Sequence, residues 1–226
     1  MTNDRDIGAV CSLAGVKYAI SAARVVLEKT PHTLVSGPHA INLVEESGIE
    51  TDIDLWTEHS QHYRDKNQLS DNNDVLDQLN HVRPTYDLSE FSEQDTEHER
   101  TRSDHDTVGA VAHGKDQFAC ATSTGGRWSA LAGRVGDVPQ ASSGFYCNPA
   151  GGASVTGSGE DISRVTLARR AVQHLEEGYE PQEAADLAIN QFSEMIGGTA
   201  GIILLDANNA GSVFNSDAMQ TVIKCA

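Results

Sequence analysis

The segment from Arg83 to Asp106 does most to constrain how this chain can fold. It holds eight acidic residues (Asp87, Glu90, Glu93, Asp95, Glu97, Glu99, Asp104, Asp106), Pro84 and almost no aliphatic pattern. Such a stretch buries too little apolar surface to offset the entropy of ordering, so it reads as a flexible acidic linker. The fold must therefore be built from what lies on either side. At Thr107 the character changes at once: Val108-Gly-Ala-Val-Ala112 and Phe118-Ala-Cys-Ala-Thr122 flank a polar turn, His113-Gly-Lys-Asp116, in the pattern of a β-hairpin.

Upstream of the linker, short apolar runs alternate with helical spacing. Ile7 to Leu13 reads as a strand. Ile20, Ala23, Arg24 and Leu27 recur at helical intervals up to the stop at Pro31, Thr33-Leu34-Val35 reads as a second short strand, and Pro38 to Glu46 as a helix closed by Gly48. Downstream, a glycine-rich stretch runs from Gly125 to Gly159. Asp161 then looks like the N-cap of a long helix that buries Ile162, Val165, Ala168, Val172 and Leu175 and ends at Gly178. Pro181 opens another helix that ends near Gly197-Gly198. Gly201 to Leu205 and Ser212 to Phe214 form a second hairpin around Asp206 to Gly211. Hairpins at both ends of this zone, with helices between, predict an α+β layered domain.

Composition excludes several classes of function. A net charge of −17, with only five lysines (Lys17, Lys29, Lys66, Lys115, Lys224) against 33 acidic residues, opposes binding to nucleic acid or anionic membranes. Carboxylates so dense repel one another until salt screens them, so a salt-adapted source is expected. No apolar run approaches the ~20 residues of a membrane span, and the polar start Met1 to Asp6 does not resemble a signal peptide. A cytoplasmic protein is expected. Cys11, Cys120, Cys147 and Cys225 show no metal-ligand clustering and are expected to be small core residues. His59-Ser-Gln-His62 has ligand-like spacing but no third ligand beside it, so no metal is expected.

The chemistry gathers around Thr107. If the Asp106–Thr107 bond were cut, Thr107 would carry both a hydroxyl and a free α-amine able to act as its base. Alone, a threonine opening a strand is an ordinary β-former. The later segments strengthen the case: Ala121-Thr-Ser-Thr-Gly-Gly126, Gly133-Arg-Val-Gly-Asp-Val-Pro139, Gly144-Phe-Tyr-Cys-Asn148 and Val155-Thr-Gly-Ser-Gly-Glu160, the last placed before a helix. In order and spacing these resemble the β-subunit signature of plant-type asparaginases and isoaspartyl peptidases, over Thr107 to about Met219. Ile7-Gly-Ala-Val10, Ala14-Gly-Val-Lys17, Ala22-Ala-Arg24 and Glu28-Lys-Thr-Pro-His32 resemble the second half of that family's α-subunit.

The resemblance implies a four-layer αββα sandwich of the N-terminal-nucleophile hydrolase type. It implies self-cleavage between Asp106 and Thr107, giving an α-chain of residues 1–106 (with 83–106 as its linker) and a β-chain of residues 107–226, paired as a dimer of such heterodimers. Thr107 would be the nucleophile and Thr124 its hydroxyl neighbour. Thr156 and Gly157 would form the oxyanion hole. Arg134, Val135, Gly136 and Asp137, with Thr156, Gly157, Ser158 and Gly159, would line the amino-acid site, with Arg134 on the α-carboxylate and Asp137 on the α-ammonium. The implied substrate is a small amino acid or dipeptide, L-asparagine or a β-aspartyl dipeptide, and no cofactor is required. Without the resemblance, Arg134 and Asp137 read as a surface ion pair. Arg127 and Trp128 would border the leaving-group side.

Two departures stand out. The family's opening strand, its His-Gly-Gly-Ala-Gly motif and its Asn-Ala-Gly turn have no counterpart here. An exposed sheet edge is expected in consequence. The residue before Thr107 is Asp106, as in the related glycosylasparaginases, whereas Thr124-Gly125-Gly126 favours the asparaginase side. A glycosylasparaginase, and an inactive shortened homologue with a binding role, remain alternatives at this point.

Overall fold

A computed structural model describes residues 1–58, 61, 107–126, 130 and 133–225. The expected linker 83–106, Asp106 itself, His59, His62, Arg127 and Trp128 lie outside the described residues. What is described is α+β. The first part is a β-α-β unit followed by a helix: β1 (Ala9–Cys11), α1 (Ala19–Lys29), β2 (Leu34–Ser36) and α2 (Gly37–Glu46). β1 and β2 pair in parallel, Val10 opposite Val35. Val16, Ala22 and Val44 form a small core here, with Val10, Leu13, Ile41 and Ile49 packed against it.

The buried face of α1 differs from the set Ile20, Ala23, Arg24 and Leu27 that recurs at helical spacing in sequence. The helix buries Ala22, Val25 and Val26, while Ile20 is 42% exposed and Arg24 pairs with Glu28 in solvent at 2.6 Å. The two stripes have the same i, i+3, i+4 spacing and lie two residues apart, a rotation of about 200° that puts them on nearly opposite faces. Spacing alone cannot choose between them, and the β-branched pair Val25-Val26 takes the interior.

The second part opens with the hairpin β3 (Thr107–Gly114) and β4 (Gln117–Thr124), in register from Thr107 opposite Thr124 to Gly114 opposite Gln117. Its loop is only Lys115-Asp116, both with positive φ (51° and 61°), the two-residue type I′ geometry whose twist suits a hairpin. Alternation then sorts the side chains. Phe118 and Cys120 are buried, whereas Gln117 and Ala119 are exposed.

A four-stranded antiparallel sheet follows, in the order β5 (Phe145–Asn148), β6 (Gly151–Gly157), β7 (Ala200–Leu205), β8 (Ala210–Phe214). β5 and β6 lie inside the stretch that reads from sequence as glycine-rich connection. Glycine normally weakens a strand, but here it admits a second layer. A Cβ on Gly152 would lie 2.7 Å from Val111 of β3, and a Cβ on Gly109 would strike Ser154. The hairpin therefore packs close on one face of the sheet, sealed by Phe118, Cys120, Phe145 and Cys147.

The other face carries the helices. α3 (Gly159–Val165) and α4 (Leu167–Glu176) replace the single long helix expected from Asp161, and α5 (Pro181–Met195) follows. The break is Thr166, in the left-handed region (φ 52°, ψ 54°), and the N-cap is Ser158 rather than Asp161. The interruption is satisfied locally. Arg170 Nε donates to the Val165 carbonyl at 2.8 Å, and the amides of Ala168 and Arg169 donate to the carbonyls of Ser143 and Ser142. It also lets Ile162, Val165 and Leu167 all bury against Val155, Val172, Phe192, Ile202 and Leu204. Buried alanines at 168, 171, 184, 185 and 188 let α4 and α5 approach each other and the sheet closely.

Cys120 and Cys147 are core residues as expected, Cys11 is half-buried, and Cys225 is exposed, which corrects the expectation at that position. Residues 1–3 run beside β4: Thr2 bridges Ala119, Asn3 N–H donates to the Phe118 carbonyl, and Cys120 N–H donates to the Met1 carbonyl. The outer edge of β4 is thus covered at Phe118–Cys120. Among the described residues, no helix is long and apolar enough to cross a membrane.

Candidate active site

Hairpin register places the first hydroxyl pair. Thr107 and Thr124 are directly opposed at the open end of β3 and β4, and Thr107 Oγ1 donates to Thr124 Oγ1 at 3.3 Å. Thr124 Oγ1 also accepts from the Gly126 N–H at 3.3 Å. One pleat further in, Thr122 Oγ1 lies 2.6 Å from Ser154 Oγ on β6, which fixes the hairpin on the sheet beneath it. The face-to-face alignment proceeds in steps of two: Val111 lies over Gly152, then Gly109 over Ser154. Thr156 and Gly157 end β6, opposite Gly201 and Ala200, and Gly157 has φ 134°, a conformation that side chains rarely adopt.

A second group surrounds the start of α3. Arg134 is held by Glu160 through two bonds of 2.6 Å each, Nε to Oε1 and Nη2 to Oε2. Asp137 is 5% exposed, and its Oδ2 has no hydrogen-bond partner among the described residues. Burial pushes its carboxyl up from 3.8 to about 6. The backbone N–H groups of Asp137 and Val138 and the Arg134 charge oppose that rise, and Glu160 adds to it. A Cβ on Gly159 would lie 2.8 Å from both Arg134 Nη2 and Asp137 Oδ1, so the cation and the acid flank one bare stretch of backbone. Only glycine leaves that space open.

The surface ion pair between Arg134 and Asp137 is therefore corrected: Asp137 is buried, and the arginine's two-pronged contact is with Glu160. Twenty-six residues separate the partners. The only signal in sequence was the acid that follows Gly159 at a helix start, to which sequence reasoning assigned no role. Ser158 turns its hydroxyl to Thr199 Oγ1 at 3.1 Å, and Val135 is 39% exposed. Asp52 and Asp54 are exposed. No group of three or more potential metal ligands occurs among the described residues.

Two groups are thus defined: a hydroxyl pair at the open end of the hairpin, and a buried acid and a guanidinium on either side of Gly159. Residues 2–225 match the family described as asparaginase, and the chain belongs to that family. Its curated relatives include an isoaspartyl peptidase/L-asparaginase of Xenopus laevis, 35% identical over 207 residues, covering 90% of this chain and 59% of the relative. A plant-type L-asparaginase of Pyrococcus furiosus is 36% identical over 216 residues, covering 95% and 67%. One from Thermococcus kodakarensis is 34% identical over 216 residues, with the same coverage. The chain thus spans 59% to 67% of the length of these relatives.

Proposed function

We propose that the chain is a self-cleaving amidohydrolase that acts on L-asparagine, on β-aspartyl dipeptides, or on both, through an ester on Thr107. The observation that carries this is the Thr107–Thr124 hydroxyl pair at the first residue of β3. Maturation would start when Thr107 Oγ attacks the Asp106 carbonyl, which turns the peptide bond into an ester. Water then splits the ester, leaving a carboxylate on Asp106 and a free amine on Thr107. In turnover that amine takes the Oγ proton while Oγ attacks the substrate's side-chain amide carbon, and it returns the proton to the departing ammonia or amine. Water next resolves the aspartyl ester to free aspartate.

The other residues have supporting roles in this reading. Thr156 and Gly157 supply donors to the developing oxyanion, where preset donors contribute a few kcal/mol each. Asp137, with its unpartnered Oδ2, takes the α-ammonium, and Arg134 takes the α-carboxylate. Thr124 holds the nucleophile's hydroxyl. Gly159, with Gly136 and Val135, forms the backbone wall of the amino-acid site. The whole molecule is proposed as a four-layer αββα sandwich, with α1 against β4 as the start of the outer helical layer, assembled as a dimer of αβ heterodimers.

Intact mass after prolonged incubation in molar KCl tests the proposal, followed by ammonia release from L-asparagine and from β-aspartyl dipeptides. Two fragments that meet at Asp106/Thr107, together with ammonia release, are expected. An uncut chain without hydrolysis refutes it. Release of a sugar amine from glycosylasparagine in preference to ammonia from asparagine would reassign the substrate.

A further inference from the structure

We infer that Glu160 is a positioning residue of the substrate site, one that holds Arg134 away from Asp137 so that cation and acid remain two separate subsites for an amino-acid zwitterion. This role rests on the amidohydrolase reading above. Arg134 sits on the loop before β5, while Glu160 stands in the first turn of α3, directly after the strand that carries Thr156 and Gly157. The two parallel bonds, both 2.6 Å, fix the plane of the guanidinium as well as its position. A long side chain from a loop is thereby tied to the sheet–helix unit that carries the proposed oxyanion donors.

The backbone fits closely around the held group. A Cβ on Gly136 would lie 2.7 Å from Arg134 Nη1, and one on Gly159 would lie 2.8 Å from Nη2. The same Gly159 position lies 2.8 Å from Asp137 Oδ1, so Arg134 and Asp137 are neighbours across bare backbone. Asp137 is buried, and among the described residues its Oδ2 has no hydrogen-bond partner, which makes it a strong attractor for a mobile cation. Without the Glu160 fork, an arginine able to swing would close onto Asp137 and fill the site with an internal ion pair. A substrate would then have to break that pair to bind.

E160Q tests this, because an amide has one acceptor and turns a donor NH2 toward one of the two guanidinium donors, so the fork is lost while the shape is kept. The expected result is a KM for L-asparagine at least tenfold higher, a kcat within threefold, and unchanged self-cleavage at Thr107. In an R134K background, E160Q should add less than twofold, because the two residues act as one unit. E160D, which keeps the charge with a shorter reach, should give an intermediate KM, and it serves as the test if E160Q does not fold. If the wild type hydrolyses asparagine and E160Q leaves KM within twofold, the positioning role is overturned while the hydrolase reading stands. Effects of E160Q and R134K that multiply would also overturn it, since Glu160 would then act independently of Arg134. A wild type that neither cuts itself nor hydrolyses asparagine would refute the hydrolase reading, and this role with it.

Discussion

Replacing Asp137 with asparagine should stabilise the fold, by an amount that grows with pH. The carboxyl is raised from 3.8 to about 6 by burial, so between those values the folded state holds a proton that the unfolded state has lost. Stability therefore falls as pH rises through that window, and the cost is fully present above about 6. At 1.36 kcal/mol per pKa unit, the ionised carboxylate costs about 3 kcal/mol. The amide in its place would be neutral at every pH. Comparing the two proteins at pH 4 and at pH 8 cancels whatever the amide itself gains or loses in that cavity, leaving ionisation alone. The advantage of D137N should grow by about 2–3 kcal/mol between pH 4 and pH 8, or about 5–10 °C in Tm for a domain of this size. The comparison belongs in a T107A background, where the chain stays a single species, at one fixed high KCl concentration. An advantage that is constant with pH, or largest at pH 4, would refute the raised carboxyl. The same substitution should raise KM for L-asparagine at least tenfold, because an amide cannot pair with an α-ammonium as a carboxylate does. A protein more stable and less able to bind would show that the buried acid is kept at a cost to the fold.

The remaining predictions concern the nucleophile, the cation and the surface. T107A should neither self-cleave nor release ammonia, with Tm within a few degrees of the uncut wild type; ammonia release from it would remove Thr107 as nucleophile. R134K should raise KM about tenfold or more, since an ammonium cannot present two donors in a plane, and unchanged kinetics would take Arg134 out of the site. With a net charge of −17, and a Debye length that falls from about 30 Å at 0.01 M salt to about 3 Å at 1 M, Tm should rise by about 10 °C or more from dilute buffer to molar KCl. Equal stability in both would dismiss the salt-adapted reading.

How far each feature was legible in sequence depends on how local its cause is. The hairpin could be read because two strand-like runs and a polar turn agree within about eighteen residues, but its loop is Lys115-Asp116 alone rather than His113 to Asp116, and it is this shorter loop that opposes Thr107 and Thr124. Helix ends at Pro31, Gly48 and Pro181 are likewise set by residues that act on their own backbone. β6 could not be read. Gly151 to Gly157 has the composition of a loop, and it becomes an inner strand only because Val111 and Ser154 need the volume that its glycine and its glycine-bearing partner strand leave open. The break at Thr166 is similar, since the amides it exposes are satisfied by Ser142 and Ser143, carbonyls from the far side of two strands.

The same distinction separates the two halves of the candidate site. Thr107 and Thr124 meet through one hairpin, so once the loop is fixed at two residues the register alone opposes them. Arg134, Asp137 and Glu160 meet because a loop, a strand end and a helix start converge on Gly159, and nothing local indicates which acid the arginine will choose. Proximity in sequence favours Asp137, three residues away, whereas solvation favours Glu160. The half-exposed Glu160 keeps part of its hydration while it accepts both guanidinium bonds, whereas pairing at Asp137 would bury both charges, where desolvation offsets much of the Coulombic gain and leaves the weaker pair. The more exposed acid therefore takes the cation, and the buried one keeps an unpartnered oxygen. In a site proposed to receive an α-ammonium, that is the group that has to remain open until the substrate supplies the missing charge.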